Sequence, residues 1–205
     1  MMSRERFEEK ETARLEAFSD GVFAIAITLL VLELGDPSLR GGVSLSQGLL
    51  DEWPSFFALV TSFITILIMW MNHHNMFNYI RRTDRRLMLL NGLLLLFVTL
   101  TPFTTSLVAS HIRLGDASVA VAVYAGTFFL LAIVWNGLWW YCSSGHRLLG
   151  KDVTEEQART ITRQYFAAPL SYGAALVIAP FSGLASVVVI LAVAGFFAIT
   201  ATIGK

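Results

Sequence analysis

Six apolar blocks alternate with short polar segments along the 205-residue chain, at about Phe18–Leu34, Pro54–Asn72, Leu87–Ala109, Ala117–Cys142, Tyr165–Phe181 and Gly183–Ile203. Each is of the order needed to cross a bilayer, since a span takes roughly 20 residues at 1.5 Å rise each. The pattern predicts an all-α integral membrane protein with six transmembrane helices, folded as one domain over residues 1–205. The charged stretch Met1–Leu15 reads as a solvated helical lead-in to the first span. Asp36-Pro37 and Gly41-Gly42 mark turns in the first linker, and Pro180–Gly183 is short enough to make the last two spans a helical hairpin. Thr154-Glu-Glu-Gln157 has the spacing of a capping box and should start a helix. Pro102 should kink the third span, with Thr104 and Thr105 offering hydroxyls to the freed carbonyls.

The first block differs from the others because it carries acids at both ends, Asp20 near its start and Glu33 at its far end. A carboxylate inside an apolar span is costly and calls for a partner. At 100° per residue, Ile25, Leu29 and Leu32 fall within about 60° of arc on one face, with Phe18, Gly21 and Thr28 along its border. Asp20 points well over 90° away from Ile25, toward neighbouring helices. Periodicity by itself allows the stripe to pack simply against lipid or another helix.

Composition agrees with a membrane protein. The chain is 55% hydrophobic and only 15% charged, where soluble domains carry about a quarter charged residues. Formal net charge is zero, which implies no bulk attraction to nucleic acid. The one cysteine, Cys142, excludes an intramolecular disulfide and an all-cysteine metal site. The charged N-terminus argues against a removable signal peptide. Basic residues sort by side: four precede the first span, four (Arg81, Arg82, Arg85, Arg86) lie in the second linker and four (Arg147, Lys151, Arg159, Arg163) in the fourth. With Lys205 they share one side, against Arg40 and Arg113 on the other. The positive-inside rule then places both termini in the cytoplasm.

Candidate chemistry gathers at that same boundary. Trp70, Asn72, His73, His74 and Asn75 end the second span, level with Arg14–Asp20 of the first. Asp20 with Arg, Trp and His partners would make a polar network that offsets its burial. Adjacent helical residues diverge by about 100°, so His73 and His74 do not readily ligate one metal or haem iron together. No HExxH, GxSxG or phosphate-cradling glycine loop is present, and no catalytic residue is assigned.

Arg14-x-x-x-Phe18-Ser19-Asp20, followed by GVFAIAITLLVLEL, resembles the first helix of the transmembrane protein 175 family of potassium channels in its six-span prokaryotic form. The resemblance continues through Trp70, His73-His74, the segment Tyr79–Leu87 (YIRRTDRRL), Asn91 and Pro102-Phe103, and is carried mainly by hydropathy thereafter. It implies a homotetramer in a bacterial cell membrane, with a central pore lined by the first helix of each subunit. No TVGYG-type carbonyl filter is present. The constriction implied by the family falls on Ile25, Leu29 and Leu32, the stripe that periodicity also picks out, with Thr28 on its flank offering a hydroxyl to a passing ion. Arg14, Phe18, Ser19 and Asp20, with Trp70 and His73, match the family's structural polar network. The chain carries one RxxxFSD set, so four copies are implied.

The expected function is a potassium-permeable cation channel, with potassium as the permeant ion and no cofactor or metal. An apolar constriction gates by dewetting. It favours potassium only modestly, through the lower cost of stripping that ion of water. Glu33 would concentrate cations at the outer mouth, or simply end the helix in water. A proton-coupled transporter using Asp20 and His73 as a relay is the alternative. A non-conducting protein binding haem or a partner through His73 and His74 is a third reading.

Overall fold

Every apolar block becomes helix in the computed structural model, which describes residues 2–34, 44–111 and 116–203, with side chains over 12–32, 34, 44–111 and 116–199. The helices are α1 (Met2–Leu29), α2 (Leu45–Asp51), α3 (Trp53–Tyr79), α4 (Arg85–His111), α5 (Ala117–Ser143), α6 (Glu155–Ile178) and α7 (Gly183–Ile203). A 3-10 turn, Leu30–Glu33, extends α1. The two turns expected near Pro37 and Gly41 fall outside the described residues, as do Arg40 and Arg113. The short α2 was not expected; Ser44 caps it by accepting from the Gln47 N–H at 3.3 Å.

Four segments are long and apolar enough to cross a membrane: Thr12–Leu32, α3, α4 and the α5 segment Ala117–His146. α7 is apolar over the shorter stretch Gly183–Ile199. α6 begins ten residues before the apolar block expected there, so its first turns are polar and its apolar part is Tyr165–Ile178. Its start is the predicted capping box: Thr154 Oγ1 accepts from the Gln157 N–H at 3.2 Å, and Gln157 Oε1 accepts from the Thr154 N–H at 2.9 Å. The tight link after α6 turns α7 back against it, as a hairpin requires.

α5 is the centre of the packing, in contact with α4, α6 and α7, while α1 lies against α3 and α4. Aromatic rings from α5 and α6 interlock along their shared face: Phe128 with Tyr172 at 5.5 Å, and Trp135 and Trp139 with Tyr165 at 5.9 and 5.7 Å. Such edge and tilted contacts add to the area they bury. Around Pro102 the hydroxyls act differently from expectation. Thr104 and Thr105 both donate to the Thr101 carbonyl, at 3.1 and 2.8 Å, and not to Val98, whose helical partner the proline removes. Thr105 Oγ1 also pairs with Ser62 Oγ at 2.7 Å, joining α3 to α4.

The linkers that follow α3 and α5 close on each other in a short antiparallel bridge, Ile80 against Leu149. The Arg81 and Arg82 N–H groups donate to the Leu148 carbonyl, and the Gly150 N–H donates to Tyr79. Arg82 Nη2 reaches the His146 carbonyl at 2.8 Å. This clasp holds Gly145 and His146 at φ of 62° and 52°, a conformation that non-glycine residues adopt only when the surroundings fix it. His146 Nε2–H, donating to the Val153 carbonyl at 3.0 Å, supplies part of that fixing. Asp84 then caps α4 by accepting from the Leu87 N–H at 2.8 Å, and it also accepts from the Tyr141 hydroxyl. Burial pushes the Asp84 carboxyl up, but these bonds to its charged form and nearby Arg147 outweigh it and hold it below its ordinary value.

Candidate functional site

α1 is apolar on two faces that meet different surroundings. Ser19, Phe23, Ala26 and Leu30, spaced four, three and four apart, are buried against α3 and α4. Ile25, Leu29 and Leu32 form the opposite stripe and are 59%, 41% and 73% exposed on the single chain. The 3-10 turn sharpens this stripe. Side chains three apart eclipse in a 3-10 helix, so Leu32 stands almost directly above Leu29. Thr28 is exposed on the flank and donates its hydroxyl proton to the Ile25 carbonyl at 2.9 Å, leaving its oxygen lone pairs outward.

The buried face is held by a directed chain of hydrogen bonds. Ser19 Oγ donates to the Leu15 carbonyl at 2.9 Å, so it accepts from Asn91 Nδ2 at 2.9 Å. That fixes the Asn91 amide with its oxygen toward His73 Nε2, again at 2.9 Å. Since a carbonyl oxygen only accepts, Nε2 carries the proton and Nδ1 has the lone pair. The His73 ring is fully buried, stacked on Phe77 at 4.5 Å and bordered by Phe23 and Trp135. α1, α3 and α4 are thereby pinned at one point.

A second set of contacts runs one helix face away. Trp70 Nε1–H donates to Asp20 Oδ1 at 2.7 Å, and His74 Nδ1 lies 2.6 Å from Glu16 Oε1. Glu16 and Asp20 are four apart on α1, and Trp70 and His74 are four apart on the antiparallel α3, so the pairs form two rungs of a ladder. The His74 ring also stacks over Trp70 at 6.2 Å. Asn72 turns to α7 instead, where Nδ2 donates to the Phe197 carbonyl at 3.4 Å.

The structure therefore brings together Ser19, Asp20, Trp70 and His73 on the packed side of α1. Arg14 and Phe18, expected in the same network, stand outside it: both are exposed, Phe18 by 63%, and no hydrogen bond joins Arg14 to those four residues. Helical angle explains this, because Phe18 lies seven residues before Ile25 and so shares its face. Asn91 and Glu16 were missing from the expected site. Glu16 was readable as the residue one turn before Asp20; Asn91 carried no signal of spacing. Asp20 and His73 bond to different partners, Trp70 and Asn91, so no direct hydrogen bond links them as a relay. His73 and His74 point to different neighbours, and among the described residues no group of three or more His, Cys, Asp or Glu side chains could hold a metal. The Glu33 side chain lies outside the described residues.

The family described as "Endosomal/lysosomal potassium channel TMEM175" matches residues 14–102, from within α1 through α2 and α3 to Pro102 in α4. A protein of Chamaesiphon minutus named as a potassium channel is 45% identical, over 94% of this chain and 96% of its own length. The crystal structure of a TMEM175 homologue from that organism, titled a lysosomal potassium-selective channel homologue, superimposes with a TM-score of 0.85 at 43% identity, covering 94% of this chain and 99% of its own. The human endosomal/lysosomal proton channel TMEM175 is 36% identical over 62% of this chain and 27% of its own length. With close to half its residues shared along nearly the whole of a family member, the chain belongs to the TMEM175 family, a family of membrane channels and not of enzymes.

Proposed function

We propose that four copies of the chain assemble around α1 into a potassium-permeable channel whose constriction is built from Ile25, Leu29 and Leu32. The observation that carries this reading is the exposed apolar stripe on a helix whose other face is fixed by buried hydrogen bonds. A rigidly held helix with bulky side chains directed away from its own subunit is suited to a narrow ring. Each subunit contributes six spans over residues 1–205, α6 and α7 completing the four longer ones, with both termini on the cytoplasmic side. The linkers after α3 and α5, with Arg81, Arg82, Arg147 and Lys151, meet at one end of the bundle, and Arg85, Arg86, Arg159 and Arg163 follow in the first turns of α4 and α6; this clustering supports that sidedness.

A ring of isoleucine and leucine side chains stabilises a dewetted pore and presents no carbonyl cage to an ion. Potassium releases its hydration water at lower cost than sodium, so preference for potassium is modest. Planar-bilayer recording in asymmetric potassium and sodium should give a reversal potential displaced toward potassium, and Ile25→Asn should increase the leak and reduce the displacement. Correctly assembled tetramers that pass no current would sink this reading. The proton-coupled alternative predicts saturable, pH-dependent uptake without single-channel currents, abolished by Asp20→Asn. Its relay would have to pass through a His73 ring enclosed by Phe23, Phe77 and Trp135.

A further inference from the structure

We propose that the clasp between the linkers after α3 and α5 is a binding site for the phosphate headgroup of an anionic phospholipid. The Ile80–Leu149 bridge brings together two segments that the sequence separates by more than sixty residues, and both are basic. Residues 80–86 carry four arginines against Asp84, and residues 146–152 carry Arg147 and Lys151 against Asp152. The clasp is therefore strongly cationic even before any pairing is considered. The charge of Asp84 is further engaged by the Leu87 N–H and the Tyr141 hydroxyl.

The cations of the clasp have distinct duties. Arg82 is tied to the His146 and Leu149 carbonyls and is part of the scaffold. Arg147 is exposed, its guanidinium 4.6 Å from the centre of the Tyr141 ring, which fixes its position without using its hydrogen-bond donors. Arg81 is exposed, and its Cγ and the Asp152 carboxylate both border Gly150, where an added Cβ would stand 3.0 Å from Arg81 Cγ and nearer still to Asp152 Oδ1. Arg85 and Arg86 are exposed on the first turn of α4, whose N-terminal dipole also favours an anion. Exposed guanidinium groups, that of Arg147 held over Tyr141, can each bond phosphate oxygens in pairs and suit a phosphate better than lysines would.

The clasp also lies at the right depth. α5 runs for 27 residues, longer than the hydrocarbon layer requires, and its last turn carries Trp140 and Tyr141, a few residues before the clasp. Trp140 is exposed and sits where interfacial aromatics meet headgroups. The occupant is therefore a membrane lipid and not a soluble phosphate ester.

Native mass spectrometry of the detergent-purified assembly, with added phosphatidylglycerol or phosphatidylcholine, tests the site. Phosphatidylglycerol should be retained preferentially, and Arg81→Gln and Arg147→Gln should each lower its retention about fivefold, the effect of one cation near an anionic surface. Arg147→Lys, which keeps the charge but loses the paired donors and the stacking on Tyr141, should retain more lipid than Arg147→Gln and less than the parent protein, and Arg159→Gln, away from the clasp and paired with Glu155 at 2.9 Å, should change nothing. Equal retention of the two lipids, or unchanged retention in both glutamine variants, overturns the proposal. So does displacement of the lipid by millimolar glycerol phosphate, which would show a soluble-anion site. None of these readouts depends on ion conduction, so they stand apart from the test of the channel reading.

Discussion

Asn91 joins three helices through one amide, and its consequences are the most specific at the scale of single residues. Replacing it with leucine removes the donor to Ser19 and the acceptor from His73 at once, and leaves the buried His73 N–H unsatisfied. A buried polar group left without a partner costs about 1–3 kcal/mol, so Asn91→Leu should lower the thermal unfolding midpoint clearly. Ser19→Ala should lower it too, because the buried Asn91 N–H loses its acceptor, although the Asn91–His73 bond is kept. Equal midpoints for both variants and the parent protein would contradict the bonding order described for this chain. Sequence reasoning reached Ser19, Asp20, Trp70 and His73 but placed them in one network. In the structure they divide into two, because Trp70 leaves α3 on the face it shares with His74 while His73 points to another. The resemblance also put Arg14 and Phe18 in that network, although the helical angle already set Phe18 beside the Ile25 stripe. Asn91 was named among the residues of the family resemblance but given no role, because a single amide in an apolar block alters neither hydropathy nor period.

At the scale of helices and linkers, apolar length made the spans legible, and the Thr154 capping box located the start of α6 where hydropathy alone did not. The 3-10 turn after Leu29 and the clasp at Ile80–Leu149 were not legible. The first continues the same apolar residues at a tighter pitch, and the second pairs backbone with backbone between polar segments that have no alternation. The clasp has a pH signature through Asp84. Its carboxyl is lowered in the folded protein, so its charged form contributes stability above the unfolded value of about 3.9 and loses it as pH falls through the lower folded value. Asp84→Asn keeps a capping side chain but removes the charge. Thermal scans should show the parent protein more stable than Asp84→Asn at pH 7, with the gap closing in acid. A gap that is constant with pH would mean that the Asp84 charge contributes nothing.

For the whole molecule, the exposed faces matter more than the core. A soluble monomer could not leave Ile25, Leu29, Leu32 and Phe18 uncovered along one helix, yet in a bilayer both lipid and other subunits can cover them. Cysteine cross-linking separates the two covers. Leu29→Cys, in a background where the buried Cys142 is serine, should give disulfide-linked dimers in high yield, since neighbouring copies of Leu29 would face one another across the axis. Val177→Cys, exposed on α6, should remain monomeric on denaturing gels. The reverse pattern would move the assembly axis to another face.

The helices also differ in how well they match a membrane. Between Asp20 and Glu33 only twelve uncharged residues intervene, and these cover about 20 Å along α1 and its 3-10 turn, against roughly 30 Å of hydrocarbon. α5 has no charged residue over its 27 positions and reaches about 40 Å. A helix so short would force acyl chains to thin around it, at a cost that grows with each ångström of mismatch. That cost vanishes where no acyl chain has to be matched. Hydrophobic thickness thus sets α5 apart from α1 and from α6, whose apolar part Tyr165–Ile178 covers about 20 Å, so the bilayer must thin or be kept away along both of the shorter helices.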